Sequence, residues 1–259
     1  MITNQTIETL MNRRSVRKYT DRKLSKEELE TIVRAGQQAP FASQLYSVLY
    51  STEGPIAFKA PIWFVICVDA HKLERFMKLR GWEIVTNDLS LLLLGMQDAA
   101  YMAENMVIVA ESLGIGSCFL GEGSLNASRI RALSKRFALP KRVFPMVELV
   151  MGYPDEDFAT RPRYPLAFTL FENKYPELSD EDVTKAMEAM DDGYLHQGYY
   201  SKQNVKIQVE DGPRDDYTFD NYSWTEHISR KWGQWAKSPN ELLDALNERG
   251  FSLFKDEDR

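Results

Sequence analysis

The sequence predicts an α+β or α/β layer architecture, in which helices alternate with short strands. Two segments carry this prediction. Residues 62–68 form a continuous apolar run with the length of a buried strand. Residues 87–113 have the length of a long helix and are apolar nearly all round, which is typical of a helix at the centre of a protein. With 259 residues, of which 44% are hydrophobic, the chain can build a large core.

The elements before the buried strand are two helices and a strand. Residues 4–11 are amphipathic and predict a short helix. Ser25 and Glu28 match a capping box, and the apolar spacing after them predicts a second helix. That helix ends at the loop 39–44, because a residue before proline is disfavoured in the helical region. Residues 45–50 are predicted to form the first strand.

The elements after the long helix follow the same alternation. Gly114 ends the long helix as a C-terminal cap, and residues 116–120 form a short strand. Asn126 caps a helix that continues to Phe137, and residues 144–151 are predicted to form another buried strand.

The composition changes near residue 175. From there to the C-terminus the chain has 10 Lys and Arg against 19 Asp and Glu, whereas the first 174 residues have 22 against 19. We therefore divide the chain into a domain at 1–174 and an acidic, aromatic-rich extension at 175–259. The extension contains a capping box at Ser179 and Asp182 and a helix start at residues 238–241. Its aromatic content predicts that it folds onto the core or a partner subunit.

The rare residue types exclude several classes of protein. Cys67 and Cys118 lie far apart in apolar segments, so they form no CxxC element, and buried free thiols are expected. The three histidines have no ligand spacing, so neither a protein metal site nor a Ser-His-Asp triad is predicted. A bound cofactor would therefore carry the chemistry of an enzyme. We find no signal peptide and no apolar run that could span a bilayer, and we expect a cytoplasmic protein.

The segment Arg13–Tyr19 concentrates positive charge in a chain of net charge -6. It holds four cations and a serine, and it follows the first predicted helix in extended form. Arginine forks match the oxygens of a phosphate, and a serine adds a neutral donor. Taken alone, the segment fits a solvated basic patch or a helix C-terminus that favours cations better than an anion site.

Three further segments accompany this basic heptad. The loop 39–44 consists of small residues around Pro40 and Phe41, and the segment 116–123 is rich in glycine. Glycine lets a ligand ring approach backbone amides closely. The third segment is Arg161-Pro162-Arg163, whose two cations would point the same way in an extended chain.

In this order and at these separations, the segments resemble the FMN-dependent nitroreductase family. The resemblance covers about residues 7–163 and is carried by residues 13–19, 39–44, 103–123, 144–156 and 161–163. It implies an α+β homodimer with FMN at the subunit interface, a central mixed sheet packed by helices and a long buried central helix. The irregular C-terminal extension beyond residue 175 has no counterpart in this resemblance.

The resemblance also implies roles for individual residues. Arg13, Arg14 and Ser15 hold the phosphate and ribityl chain of FMN, Arg17 reaches the pyrimidine edge of the flavin, and Arg161 and Arg163 close around the phosphate. The backbone N–H groups of Glu122 and Gly123 lie near flavin N5 and O4. The contacts with the FMN of the other subunit come from Pro40, Phe41, Ala42 and Gln44. No catalytic side chain is expected, because the flavin carries the chemistry.

The function implied is electron transfer from NAD(P)H through FMN to a small oxidised acceptor, such as a nitroaromatic, a quinone or an enone, with ping-pong kinetics. A protein that stores, senses or remodels FMN without turnover is the alternative. A nucleic-acid-binding protein is disfavoured by the sequence pI of about 5.3. The chain departs from relatives after Gln44 and between Tyr50 and Pro61, where many of them insert a helix. The natural acceptor and the choice of NADH or NADPH are not encoded in these motifs.

Three aromatic features stay open at this point. Phe41 is either a core anchor or a wall beside the flavin. The cluster at residues 194–200 is either packing or a dimer clasp, or else a cover over the flavin in which His196 could donate a proton. The helical spacing of Trp224, Trp232 and Trp235 indicates a buried stripe.

Overall fold

The computed structural model describes residues 2–210, 215–235 and 238–253. The chain divides into two compact units: the first comprises Met1–Phe158 with Pro239–Arg259, and the second comprises Ala159–Ser238. These units differ from the predicted division at residue 175. The reason is that Ala245 and Leu246, near the C-terminus, are buried in the main core of the first unit.

The described residues form nine helices and four strands. The helices are α1 Gln5–Asn12, α2 Lys26–Gln37, α3 His71–Leu79, α4 Asp88–Ser112, α5 Ala127–Arg136, α6 Asp180–Gln197, α7 Tyr199–Gln203, α8 Trp224–Gly233 and α9 Asn240–Glu248. The strands are β1 Tyr46–Ser51, β2 Ile62–Asp69, β3 Gly116–Leu120 and β4 Val143–Gly152. Short 3₁₀ turns occur at Ala57–Lys59, Gly121–Ser124 and Leu166–Phe168. The predicted α+β class is confirmed.

The predicted helix starts coincide with observed caps. Ser25 and Glu28 form both bonds of a capping box, and the side chains of Asn4, Asn87 and Asn126 each accept a backbone N–H. Helix α3 was not predicted. It follows β2 directly and has no side-chain cap, so its start carries none of the residue signals that mark the others.

The sheet has the strand order β1-β2-β4-β3, and every neighbouring pair of these strands is antiparallel. The predicted mixed sheet is therefore wrong for the named strands. The connection from β2 through α4 does leave β2 and β3 running in the same direction. However, β4 lies between them and opposes both, so they never pair. The parallel pairing that the described residues do contain is an isolated bridge between Ser15 and Ser117.

The main core lies between the sheet and α4. Strand β2 is buried along its whole length, and α4 buries one face against it. The two elements are so close that a Cβ on Gly95 would lie 2.4 Å from Val68 Cγ1. The opposite face of α4 exposes apolar side chains at Leu89, Leu93 and Met96. Within one chain the long helix, which was predicted to be buried at the centre because it is apolar nearly all round, is thus buried on one side only.

The second unit has a small core of its own, built from Met190, Tyr194, Tyr200 and Tyr222. Tyr194 and Tyr200 of the aromatic cluster at 194–200 therefore pack in this core, whereas His196 is exposed. The predicted buried stripe of tryptophans is wrong at Trp232, which is 75% exposed. Among the described residues, no helix combines the length and apolar character that a membrane span requires.

Candidate functional site

The basic heptad leaves α1 and docks as an extended segment beside β3. Arg13 caps α1 with φ -57° and ψ 133°, which turns the chain out of the helix. Ser15 then forms the parallel bridge to Ser117, and the Val16 N–H donates to the Ser117 carbonyl at 2.8 Å. Val16 is only 1% exposed, and a Cβ on Gly116 would lie 2.5 Å from its Cγ2. Gly116 is thus required for this close approach.

The far end of the heptad is fixed to the segment that follows β4. Tyr19 forms an antiparallel bridge with Pro154, and the Asp155 N–H donates to the carbonyl of Lys18 at 2.9 Å. The Tyr19 hydroxyl donates to the carbonyl of Val16 at 2.5 Å, and burial raises its pKa. The predicted extended conformation is confirmed, and its backbone is held at both ends.

Two of the four cations of the heptad are paired at the surface. Arg14 Nη2 lies 2.8 Å from Asp157 Oδ1, and Lys18 Nζ lies 2.6 Å from Asp155 Oδ2. The Asp157 side chain is 89% exposed, so its pair with Arg14 contributes little to stability. Another anion can therefore replace the Asp157 carboxylate beside Arg14 with little loss of free energy.

The other two cations, Arg13 and Arg17, have guanidinium groups that form no ion pair or hydrogen bond within the described part of the chain. Both residues are half-buried, and the backbone N–H of Arg17 donates to Glu156 Oε1 at 2.5 Å. Two unpaired guanidinium groups beside the Ser15 hydroxyl form a donor set for a phosphate or another oxyanion.

A carboxyl group on α4, that of Glu111, lies near Arg13 and Arg14. Glu111 Oε1 is buried without a hydrogen-bond partner among the described residues. Burial raises the pKa of the Glu111 carboxyl from 4.5 to about 7, and the charges of Arg13 and Arg14 oppose this rise. The folded state therefore gains stability from the protonated form, and it loses this contribution as the pH rises from 4.5 through 7.

Raising the pH from 5 to 8 should lower the free energy of unfolding of the flavin-free protein. We predict that this loss is about 1–2 kcal/mol larger in the wild type than in the Glu111→Gln variant. Urea unfolding of both proteins at the two pH values measures this difference. Glu104→Gln, an exposed change on the same helix, should leave the pH dependence of the wild type intact. Identical slopes for the wild type and Glu111→Gln would contradict the assignment.

The loop 39–44 is exposed at Pro40, Phe41, Ala42 and Gln44. Phe41 is therefore no core anchor of the described chain, and its place beside a flavin stays a prediction. Asp98 of α4 fixes the backbone of the loop, because its carboxylate accepts hydrogen bonds from the N–H groups of Ala42, Ser43 and Leu45. Sequence reasoning missed Asp98. The available signal was a single acidic residue on the buried stripe of an apolar helix.

The glycine-rich segment ends in the 3₁₀ turn Gly121–Ser124, directly after β3. A buried carboxylate on β4, Glu148, packs under this turn: a Cβ on Gly123 would lie 3.4 Å from its Oε1. Arg129 of α5 donates through Nε to Glu148 Oε1 at 2.7 Å and through Nη2 to the other oxygen. Sequence reasoning missed this pair as well. The predicted contacts of the Glu122 and Gly123 N–H groups with a flavin stay predictions.

Arg161 and Arg163 belong to the second unit and lie outside any strand. The Arg161 guanidinium lies 3.9 Å from the centre of the Tyr199 ring and donates to Gln197 Oε1 at 2.9 Å. Arg163 Nη1 instead donates to the carbonyls of Arg161 and Pro162, each at 3.0 Å. In an extended strand the side chains of Arg161 and Arg163 would point the same way, but here they have different partners and do not share one direction. Their role at a phosphate stays a prediction.

Comparison with known proteins gives a consistent group of relatives. The model of the nitroreductase family matches residues 10–52, which include the heptad and the loop. A Cr(VI) reductase from Pseudomonas sp. strain G-1 is 31% identical over 218 residues, covering 78% of this chain and 86% of its own. The FMN reductase (NADPH) of Bacillus subtilis is 28% identical, covering 96% and 99%. The structure of NfrA1 nitroreductase from B. subtilis superposes with a TM-score of 0.79 at 26% identity, covering 95% and 99%.

Proposed function

Because the chain belongs to the nitroreductase family, we propose that it is an NAD(P)H-dependent oxidoreductase whose FMN is held by the basic heptad. The observation that carries this proposal is the pair of unpaired guanidinium groups, Arg13 and Arg17, on a segment fixed to β3 and to the residues that follow β4. The relative from B. subtilis named FMN reductase (NADPH), which matches nearly the whole chain, supports both the cofactor and the electron donor.

The residues fit the phosphate of FMN. In this proposal Arg13 and Ser15 bind the phosphate, and Arg14 joins them by releasing its exposed partner Asp157. A phosphate offers a bidentate acceptor that matches the arginine fork better than a single surface carboxylate does. The predicted role of Arg161 and Arg163 at a phosphate stays a separate prediction.

Arg17 has a separate role in this proposal, at the pyrimidine edge of the flavin. When bound, FMN supplies the two-electron chemistry that none of the protein side chains provides. A fixed positive charge from Arg17 stabilises negative charge that develops at that edge and so raises the reduction potential. The N–H groups of the turn Gly121–Ser124 act as donors that need no titrating side chain, and Pro40, Phe41, Ala42 and Gln44 face the cofactor of the partner subunit.

The acceptor in this proposal is a small oxidised molecule, such as a nitroaromatic, a quinone or an enone, and turnover is ping-pong. The Pseudomonas relative named Cr(VI) reductase adds chromate to the acceptors worth testing. Anaerobic stopped-flow mixing with NADH and with NADPH should bleach the flavin absorbance, and each active acceptor should restore it. Initial rates should give parallel double-reciprocal lines for donor and acceptor. Intersecting lines would contradict the ping-pong order.

The alternative is a protein that binds FMN without turnover. It predicts a yellow protein whose flavin neither NADH nor NADPH reduces within minutes. A protein that purifies colourless and takes up no FMN on titration would contradict both the enzyme and this alternative.

We also propose that the chain forms a homodimer through the exposed face of α4. Leu89, Leu93 and Met96 lie at helical spacing on that face, and an exposed apolar stripe of this kind marks an interaction site. Sedimentation velocity at micromolar concentration should give a dimer for the wild type and for the control Leu170→Glu, which changes an exposed leucine of the second unit. Leu93→Glu should shift the protein to monomer while it keeps its circular dichroism. A monomeric wild type would contradict the proposal.

A further inference from the structure

Asp98 is a buried acid that the chemistry proposed above does not use. It lies on α4, is 1% exposed, and belongs to the buried residues of this helix, whose apolar members, such as Ala99 and Met102, are part of the main core. Both of its carboxylate oxygens point at one short stretch of backbone. Oδ1 accepts the N–H of Ala42 at 2.8 Å, and Oδ2 accepts the N–H groups of Ser43 at 3.1 Å and Leu45 at 3.0 Å.

Two of these bonds go to the loop 39–44 and the third to Leu45, directly after it, and together they hold the loop in an unusual shape. The residue between two of the bonded amides, Gln44, has φ +53°, in the left-handed region that non-glycine residues seldom adopt. A bend of this kind persists only where its surroundings determine it. Asp98 fixes the amides on both sides of Gln44, at Ser43 and Leu45, and so supplies that constraint.

The alternative explanation is that Asp98 only stabilises the fold. A buried carboxylate is costly to the folded state unless hydrogen bonds compensate it, and apolar residues would fill the same place on α4 more cheaply. One of the bonded residues, Leu45, belongs to the main core, but the loop before it contributes little, because its side chains from Pro40 to Gln44 are exposed. The carboxylate therefore orders a loop whose side chains face outward.

We infer that Asp98 is a positioning residue, which holds the loop 39–44 in the shape that meets the flavin. This inference rests on the proposed function, because the loop matters for activity only if it contacts FMN. In a homodimer the loop that Asp98 orders would serve the cofactor of the partner subunit. Asp98 itself would touch neither the cofactor nor a substrate.

Asp98→Asn is the sharpest test, because asparagine keeps the size and shape of the side chain. It retains one acceptor oxygen but turns an –NH₂ donor toward backbone N–H donors, so it cannot satisfy the three amides. The matched control is Glu104→Gln, which removes one negative charge from an exposed position on the same helix. Asp98→Ala is a second variant, which removes all three bonds.

The first measurement is hydrogen exchange in flavin-free protein, which does not depend on the proposed function. We expect the amides of Ala42, Ser43 and Leu45 to exchange at least about 10-fold faster in Asp98→Asn, and at wild-type rates in Glu104→Gln. If Asp98→Asn does not fold, the wild type alone still tests the inference: its amides of Ala42, Ser43 and Leu45 must be protected from hydrogen exchange. Unprotected amides there would overturn the structural part of the inference.

The second measurement separates positioning from stability in the holoenzyme at a temperature where both proteins are folded. Misplacing a contact by about 1 Å can cost 10²-fold, so we expect kcat/KM with NADPH to fall 10- to 100-fold and the spectrum of the bound flavin to change. Faster exchange with unchanged kcat, KM and flavin spectrum would overturn the positioning role. A wild type that binds no FMN would instead refute the proposed function, and the exchange result would still stand.

Discussion

Replacing Arg129 by methionine will lower the free energy of unfolding by about 3 kcal/mol, a large part of the stability of a typical domain. Its partner Glu148 is 3% exposed and lies on the central strand β4. Removing the guanidinium leaves that carboxylate buried without its counter-charge, and this is more costly than the loss of the attraction alone. The change also removes a cation that lies 5.5 Å from the centre of the Trp63 ring.

The same helix offers a matched control for this prediction. Arg131 pairs with Glu248 in a comparable geometry, but both side chains are about half exposed. Arg131→Met should therefore cost much less than Arg129→Met, because an exposed ion pair is screened by solvent. A double variant, Arg129→Met with Glu148→Leu, should recover most of the lost stability, because no uncompensated charge remains. Urea unfolding of the flavin-free proteins measures all three. Equal losses in Arg129→Met and Arg131→Met would show that the burial of Glu148 has no energetic weight.

This pair also bears on the candidate site, because Glu148 packs against Gly123 in the turn after β3. The sequence marks the turn by its glycines, but it gives no sign of the charges beneath it. Glu148 interrupts an apolar strand, and Asp98 interrupts an apolar helix. A single acid in such a segment has no periodicity, and its partner is distant in the chain. Only the fold reveals which amides or cations compensate it.

Local signals, in contrast, predicted local structure well. The capping box at Ser25 and the caps at Asn87 and Asn126 fixed helix starts, because each bond joins residues only three apart. The pairing of strands is a long-range property, so an antiparallel sheet could not be read from the order of elements. The same limit applies to α9, whose residues Ala245 and Leu246 return to the core of the first unit.

Replacing Arg13 by methionine will weaken FMN binding about 10- to 100-fold, the effect of losing a hydrogen bond to a charged group of 1.5–3 kcal/mol. Methionine keeps much of the length and apolar character of the side chain, so the extended segment beside β3 should remain docked. The Arg13→Met and Arg14→Met double variant should lose more, since Arg14 has only a solvent-exposed carboxylate as its partner without the ligand. The dissociation constants are measured by titrating FMN into the flavin-free protein and following the flavin fluorescence.

The heptad supplies the control that separates a phosphate site from a basic patch. Lys18 is a cation of the same segment, but its side chain is 64% exposed and it pairs with Asp155. Lys18→Met should leave the FMN affinity within about 2-fold of the wild type, because an exposed charge is largely screened. Equal weakening by Lys18→Met and Arg13→Met would indicate only a general electrostatic attraction.

Riboflavin, which lacks the phosphate, makes the test specific to the contact. If Arg13 binds the phosphate, Arg13→Met should reduce the preference for FMN over riboflavin and leave the riboflavin affinity unchanged. Arg17→Met should behave differently: it should affect both flavins alike and make the reduction potential of bound FMN more negative, because the charge beside the ring is lost. A phosphate-dependent effect of Arg17→Met, or a phosphate-independent effect of Arg13→Met, would reverse the two assignments. The heptad thus predicts two distinct phenotypes from cations only four residues apart.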